Sequence, residues 1–209
     1  MDFLANISIL ELLSTLCGLT CVFLAGRGKV LNFWVGYLYN ILLFFLFMRG
    51  HLYSSMLLQP VSLTINFIGH YRWTHPKEDE ANANKELKIS VLTWKKRAVY
   101  LASITAIALI WGFVLKNISS LWPDVFEPAK NPLLDAATTV LILTAQYLSA
   151  QKKLDCWGVW VIVNVSQIIL YISVGLVFMP IVSAIYLVLA FFGFAGWRKQ
   201  LKTQDNAAN

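Results

Sequence analysis

The length of the uncharged stretches constrains this chain more than any other feature. Residues 7–25 contain one charged residue, Glu11, and residues 159–174 contain none. About 20 mostly apolar residues are enough for a helix to cross the hydrocarbon core of a bilayer. Charged residues make up 13% of the chain, against about 25% in an ordinary soluble domain. The sequence therefore predicts an integral membrane protein in a lipid bilayer.

Hydropathy predicts an all-α protein with seven transmembrane helices. The first should be retained and not cleaved, because residues 1–10 carry only one charge, Asp2, and lack the basic segment of a signal peptide. Residues 75–88 form a charged linker without apolar periodicity, and residues 121–132 contain three prolines. The predicted helices cover residues 7–26, 31–48, 53–73, 97–115, 133–150, 157–174 and 177–197.

The basic residues are divided unequally between the two sides of this arrangement. Fourteen of the 17 Lys and Arg fall on one side. Because Lys and Arg are retained on the cytoplasmic side, we expect an outside N-terminus and a cytoplasmic C-terminus in a bacterial inner membrane. The net charge of +6 is thereby accounted for without nucleic-acid binding.

The chain matches itself at an offset of 124 residues. The matched positions include an asparagine within an apolar span, a glycine, a tryptophan and an acidic residue. The pairs are Asn40 with Asn164, Gly69 with Gly193, Trp73 with Trp197, and Glu11 with Asp135. Two three-helix copies would face opposite ways unless one further helix separated them, and residues 97–115 supply it. We therefore predict a first repeat at 7–73, a linker with the inverting helix at 74–132, a second repeat at 133–197 and a tail at 198–209. This is a 3+1+3 arrangement of parallel repeats, SWEET-like in organisation, with a site between the repeats near the midplane.

Polar residues recur along one face of the sixth helix. Trp157, Trp160, Asn164, Gln167 and Tyr171 follow spacings of 3, 4, 3 and 4. An unpaired amide in hydrocarbon costs several kcal/mol, so this face must meet either the bundle interior or a polar ligand. The structural alternative is hydrogen bonding between helices, worth about 0.6 kcal/mol per residue.

Other helices carry matching polar side chains that we include in the predicted site. They are Tyr37 and Asn40, Gln59 and Asn66, and Gln146. Amides and hydroxyls beside aromatic rings suit a polar ligand with a flat ring, and they favour a cationic ring through cation–π attraction. No Lys or Arg falls at mid-membrane depth, so an anionic substrate is not expected. A nucleoside-like or vitamin-like solute fits.

The mechanism class follows from what the predicted spans contain. Glu11 and Asp135 lie near the outer ends of their helices, either as helix-start residues favoured by the dipole or as a proton or cation site. Because no carboxylate lies deeper, facilitated diffusion is preferred over ion coupling. No cofactor or metal is expected, and neither HExxH nor GxSxG occurs, which argues against an intramembrane enzyme. A channel remains an alternative.

The segment from Trp157 to Trp160, followed by Asn164, Gln167 and Tyr171 and ending at Gly193 and Trp197, resembles the PnuC family of bacterial vitamin transporters. The resemblance extends over about residues 8–198. It implies facilitated diffusion of nicotinamide riboside with trapping by a cytoplasmic kinase, through a homotrimer. Thiamine is the main alternative substrate, and riboflavin or deoxynucleosides are carried by related subgroups.

By position, the resemblance gives several of the predicted site residues a role. Trp157 and Trp160 would frame the ring, whereas Asn164, Gln167 and Asn40 would bond the polar groups. Gln59 and Tyr171 are included in the site without an assigned contact. The prolines typical of the first two helices of each SWEET repeat are missing here, so the SWEET hinge mechanism is not transferred.

Overall fold

The computed structural model of this chain describes residues 9–49, 53–82, 85–123, 131–173 and 178–208. Within these ranges it contains seven α-helices and one 3-10 turn at Glu78–Glu80, and β-pairing is limited to isolated bridges. The helices are α1 (Ile9–Gly26), α2 (Leu31–Arg49), α3 (Tyr53–Thr74), α4 (Trp94–Leu121), α5 (Pro132–Ala150), α6 (Asp155–Ser173) and α7 (Phe178–Ala208). The predicted all-α class is confirmed. Outside the described residues lie residues 7–8, 174 and 177 of the predicted helices, residues 83–84 of the charged linker, residues 124–130 of the predicted proline-containing loop and residue 209 of the predicted tail.

Six of these seven helices are long and apolar enough to cross a membrane. The remaining one, α3, has 22 residues but is more polar, because Gln59, Asn66, His70 and Arg72 all lie on it. The prediction of a seventh span at α3 therefore rests on its length and packing and not on its composition.

Two helices are longer than hydropathy predicts. The α4 helix begins at Trp94, where the Thr93 side chain accepts a hydrogen bond from the Lys96 backbone N–H. The α7 helix continues to Ala208, so residues 198–208, predicted as a tail, are helical. No Gly or Pro interrupts residues 198–208, and helix geometry can continue through charged residues once outside an apolar span.

The helices pack as a ring. Going round it, α1 contacts α2, α2 contacts α3, α3 contacts α5, α5 contacts α6, α6 contacts α7, and α7 returns to α1. The α4 helix lies outside the ring against α5. Exchanging α1, α2 and α3 with α5, α6 and α7 leaves this contact pattern unchanged.

The α1–α2 and α5–α6 turns have the same local geometry. In each turn the N–H of a lysine, Lys29 or Lys153, donates to the carbonyl five residues earlier, at 3.0 and 2.9 Å. The preceding residue is left-handed in both, with φ 70° at Gly28 and 51° at Lys152. Glycine adopts this conformation freely, whereas a lysine does not.

Both turns lie at the end of the bundle where α1, α3 and α5 finish and α2, α4 and α6 begin, which we call the charged end. The main cluster of buried apolar side chains is also there, with Trp157 and Trp197 as its largest members. It includes residues from α2, α3, α5, α6, α7 and the linker. The helices are therefore joined most tightly at the charged end.

The later part of the linker is folded onto this cluster, whereas the charged residues 77–79 are exposed. Leu87 and Ile89 are 3% and 2% exposed, and Ser90 forms a parallel bridge with Lys153. Asp155 accepts the backbone N–H of Leu92 at 2.8 Å and the Arg97 Nε–H at 2.7 Å. We call residues 85–93 the strap. Two alternating apolar residues are too few to raise the average hydropathy of a segment. The sequence analysis therefore did not predict that the strap is buried.

Candidate functional site

The polar stripe of α6 faces the bundle over part of its length. Trp157 is 2% exposed and Asn164 is 3% exposed, whereas Trp160, Gln167 and Tyr171 are partly buried. The Asn164 Nδ2–H donates to the carbonyl of Trp160 at 2.8 Å, and the Gln167 Nε2–H reaches the Tyr171 hydroxyl at 3.4 Å.

Asn40 on α2 has the same local geometry as Asn164. Its Nδ2–H donates to the carbonyl of Gly36 at 2.8 Å, and Gly36 lies 124 residues before Trp160. Asn40 and Gln59 are both buried and border one groove of about 290 Å³ between α2 and α3, whose accessible surface is apolar. The rest of the groove is apolar: Ile41, Phe44, Phe45, Pro60 and Leu63.

Asn66 and Tyr37 connect α2 to α3. The Asn66 Nδ2–H donates to the carbonyl of Phe33 at 3.0 Å. This is a hydrogen bond between helices, the alternative to ligand binding that the sequence left open for such amides. The Tyr37 hydroxyl lies 2.9 Å from His70 Nδ1, and the imidazole of His70 stacks on Phe33 with ring centroids 5.5 Å apart. Sequence reasoning missed His70.

Two buried polar atoms among the predicted site residues have no hydrogen-bond partner in the described part of the chain. They are Gln146 Oε1 and Trp157 Nε1. Buried polar groups are nearly always paired, and an unmet one costs about 1–3 kcal/mol. An acceptor on α5 and a donor on α6 are therefore available to a ligand or to water.

A tyrosine pair inside the ring was also missed. The Tyr39 and Tyr186 side chains hydrogen-bond to each other and so connect α2 to α7. They meet beside Gly18, where any side chain would collide with the Tyr186 hydroxyl. Moving the α3 stripe, Gln59, Ser62, Asn66, Gly69 and Trp73, forward by 124 residues gives Ser183, Tyr186, Ala190, Gly193 and Trp197. Applying the repeat offset to the α3 stripe would therefore have predicted Tyr186 as a polar residue facing the ring interior.

The two predicted outer carboxylates lie where the sequence placed them, in the first turns of α1 and α5. Glu11 is partly buried and Asp135 is exposed. The Asp135 backbone N–H donates to the carbonyl of Asn131 at 3.0 Å. Both positions fit helix-start residues.

Buried amides, hydroxyls and indoles, such as those of Asn164, Tyr39 and Trp157, lie between the helices of this ring. The described residues contain no group of side chains able to hold a metal ion. The fold and the site define a multi-pass membrane transporter. More particularly, the chain belongs to the nicotinamide mononucleotide transporter family, whose family model matches residues 8–199. The resemblance to the PnuC proteins is thereby confirmed, and the family is one of transporters and not of enzymes.

Relatives are similar over nearly their whole length. The chain is 29% identical over 212 residues to the nicotinamide riboside transporter PnuC of Escherichia coli K12, covering 92% of this chain and 85% of the relative. It is 25% identical to the riboflavin/roseoflavin transporter RibM of Streptomyces davaonensis, covering 90% and 83%. The crystal structure of the vitamin B3 transporter PnuC has the same fold, with a TM-score of 0.70, 22% identity and coverage of 97% and 86%.

Proposed function

We propose that this protein is a B-vitamin transporter whose substrate is nicotinamide riboside, carried by facilitated diffusion. The observation that carries the proposal is the polar face of α6, with its neighbour Gln146. Nicotinamide riboside combines a flat cationic ring, a carboxamide and ribose hydroxyls. Indole and phenol rings attract such a ring through cation–π contact, and amides pair with the carboxamide and hydroxyls.

The architecture proposed for this function is the seven-span 3+1+3 arrangement. It is supported by the exchangeable pattern of helix contacts and by the matching turns at Gly28 and Lys152. In this arrangement α3 is the seventh span and α4 inverts the second repeat. We place the protein in a bacterial inner membrane with the charged end in the cytoplasm, because basic residues are retained there.

Facilitated diffusion is supported by the position of the membrane carboxylates. Every carboxylate in the described spans lies at an end of its helix: Glu11, Asp135 and Asp155 belong to first helical turns, and Asp205 lies in the last turns of α7. A carrier without an ion site can accumulate substrate only if the cytoplasm removes it. We therefore propose trapping by a cytoplasmic kinase, and a homotrimeric assembly as the family resemblance implies.

Thiamine and riboflavin are the competing substrates. The relative RibM is named for riboflavin, and thiamine also has a cationic ring that a neutral aromatic site accepts. Either would use the same side chains, so all three vitamins are compared in the same assay.

Titration calorimetry on the detergent-purified chain tests the proposal, with nicotinamide riboside, thiamine and riboflavin each titrated separately. Saturable binding of nicotinamide riboside, weakened at least tenfold by both Asn164→Ala and Trp160→Ala, is expected. Asn117→Ala is the matched control, because Asn117 Nδ2 also donates to the carbonyl four residues earlier but lies on α4, outside the ring. Preference for another vitamin would reassign the substrate, and equal loss in the control would remove α6 from the site.

A further inference from the structure

Two tryptophans 124 residues apart each donate a hydrogen bond across the ring at its charged end. Each accepting group is a backbone carbonyl in the opposite half of the ring. The Trp197 indole N–H donates to the carbonyl of Ala25 at 2.9 Å, and the Trp73 indole N–H donates to the carbonyl of Ser149 at 3.3 Å. The acceptors are themselves 124 residues apart. The centroids of the two indole rings lie 5.8 Å from each other.

These two bonds lie at the two places where the halves of the ring meet. The backbones of α1, α2 and α3 come close to those of α5, α6 and α7 only along α3–α5 and α1–α7 in the described structure. The Tyr39–Tyr186 side-chain bond also joins the halves, but it lies beside Gly18, midway along α1 and away from the charged end. Trp73 joins α3 to α5, and Trp197 joins α7 to α1. Any motion that parts the halves at the charged end must break both bonds.

The indoles have no space to swing aside while the halves stay together. Trp73 packs edge-on against Phe33 at 5.0 Å, and Trp197 packs edge-on against Trp157 at 5.5 Å. Both tryptophans are buried, and Trp197 is 0% exposed. Since close-packed rings move as a unit with their helices, the bonds report on the separation of the halves.

We propose that Trp73 and Trp197, here called the tryptophan latch, are the gate that keeps the charged end closed. The inference rests on the proposed transport function, in which this end must open to release solute. One side is braced further, because the Lys152 ammonium lies 4.7 Å from the centroid of the Trp73 ring. Opening breaks two N–H···O=C bonds and one cation–π contact, and closing restores them.

A native cysteine reports on the latch. Cys156 is 0% exposed, belongs to the same cluster, and its side chain hydrogen-bonds that of Ser149, next to the Trp73 acceptor. With Cys17→Ala and Cys21→Ala as background, the rate at which N-ethylmaleimide labels Cys156 measures opening of this end. The purified 209-residue chain is used, without substrate.

Trp73→Phe and Trp197→Phe each keep a ring but remove the donor. Each is expected to speed labelling about fivefold, the equivalent of about 1 kcal/mol for one net hydrogen bond, and the double variant more. Trp94→Phe, in a side chain that is 80% exposed on α4, should leave the rate unchanged. Trp73→Phe removes the longer bond, so it is expected to be the milder of the two variants.

Val140→Ala separates gating from general loosening. It opens a cavity in α5 at a buried residue without touching the latch. Its unfolding midpoint is compared with the midpoints of the tryptophan variants, so that labelling rates are judged at a known loss of stability. Equal acceleration by Val140→Ala, or unchanged labelling in both tryptophan variants, would overturn the latch. Labelling needs no substrate, so a failure of nicotinamide riboside to bind would refute the proposed substrate and leave the latch result standing.

Discussion

Replacing Gly193 by alanine tests how tightly α6 and α7 pack at the charged end. A Cβ on Gly193 would lie 2.5 and 2.6 Å from Cζ3 and Cζ2 of the Trp157 indole, far inside van der Waals contact. Trp157 is itself held against Trp197 and next to Gly26, so the ring cannot retreat. The substitution gains up to about 1 kcal/mol of helix propensity but overpacks the site by about 1–3 kcal/mol.

Gly158→Ala is the matched control for this substitution. Gly158 is also helical, but an added Cβ meets nothing within 4 Å, so only the propensity gain remains. Gly69→Ala is the equivalent substitution in the other half, where the Cβ would lie 2.7 Å from Phe33 Cε1. In detergent, unfolding midpoints should therefore fall for Gly193→Ala and Gly69→Ala and rise for Gly158→Ala. A midpoint for Gly193→Ala at or above that of wild type would mean that the Trp157 indole can move aside, and would refute the expected clash.

Two further perturbations address the charged end. Lys152→Gly should be more stable than Lys152→Ala by about 1 kcal/mol, because φ is 51° at this position and alanine keeps the left-handed strain; unfolding midpoints check the order, and the reverse order would contradict it. Burial lowers the pKa of Lys152 from 10.5, with the Glu86 carboxylate opposing part of the effect. The unfolded chain therefore binds more protons at alkaline pH, and the midpoint of wild type relative to Lys152→Gly should rise as pH approaches 10.5. Asp155→Asn weakens the contacts to the Leu92 N–H and Arg97 and should speed tryptic cleavage at Lys85 and Lys88 of the strap severalfold, whereas Asp205→Asn, in the last turns of α7, should not.

The position of Lys152 shows where the two halves differ. Its counterpart 124 residues earlier is Gly28, which has the same backbone conformation without strain. The lysine adds a cation over Trp73, and the strap covers the α5–α6 turn through the Ser90–Lys153 bridge. The half containing α5 and α6 is thus the more firmly braced, and we expect the α1–α2 side to move further when the end opens.

Much of this protein is determined by the sequence alone. The helix positions follow from it because an uncharged run of about 20 residues has one stable form in a bilayer. Equal residues at one offset, such as Asn40 and Asn164 or Trp73 and Trp197, predict equivalent places in two copies. The stripe from Trp157 to Tyr171 follows from helical periodicity. Each of these signals is local or repeats at a constant interval.

Tertiary structure alone decided which of those residues touch. Asn66 and Tyr37 turn out to bond α2 and α3, Leu87 and Ile89 of a charged linker are buried, and Tyr39 finds Tyr186 across the ring. The sequence paired Trp73 with Trp197 by register, yet each indole bonds a carbonyl in the opposite half. The physical reason is that a hydrogen bond depends on a few ångströms of separation between helices, and that separation is set by how all the side chains pack together.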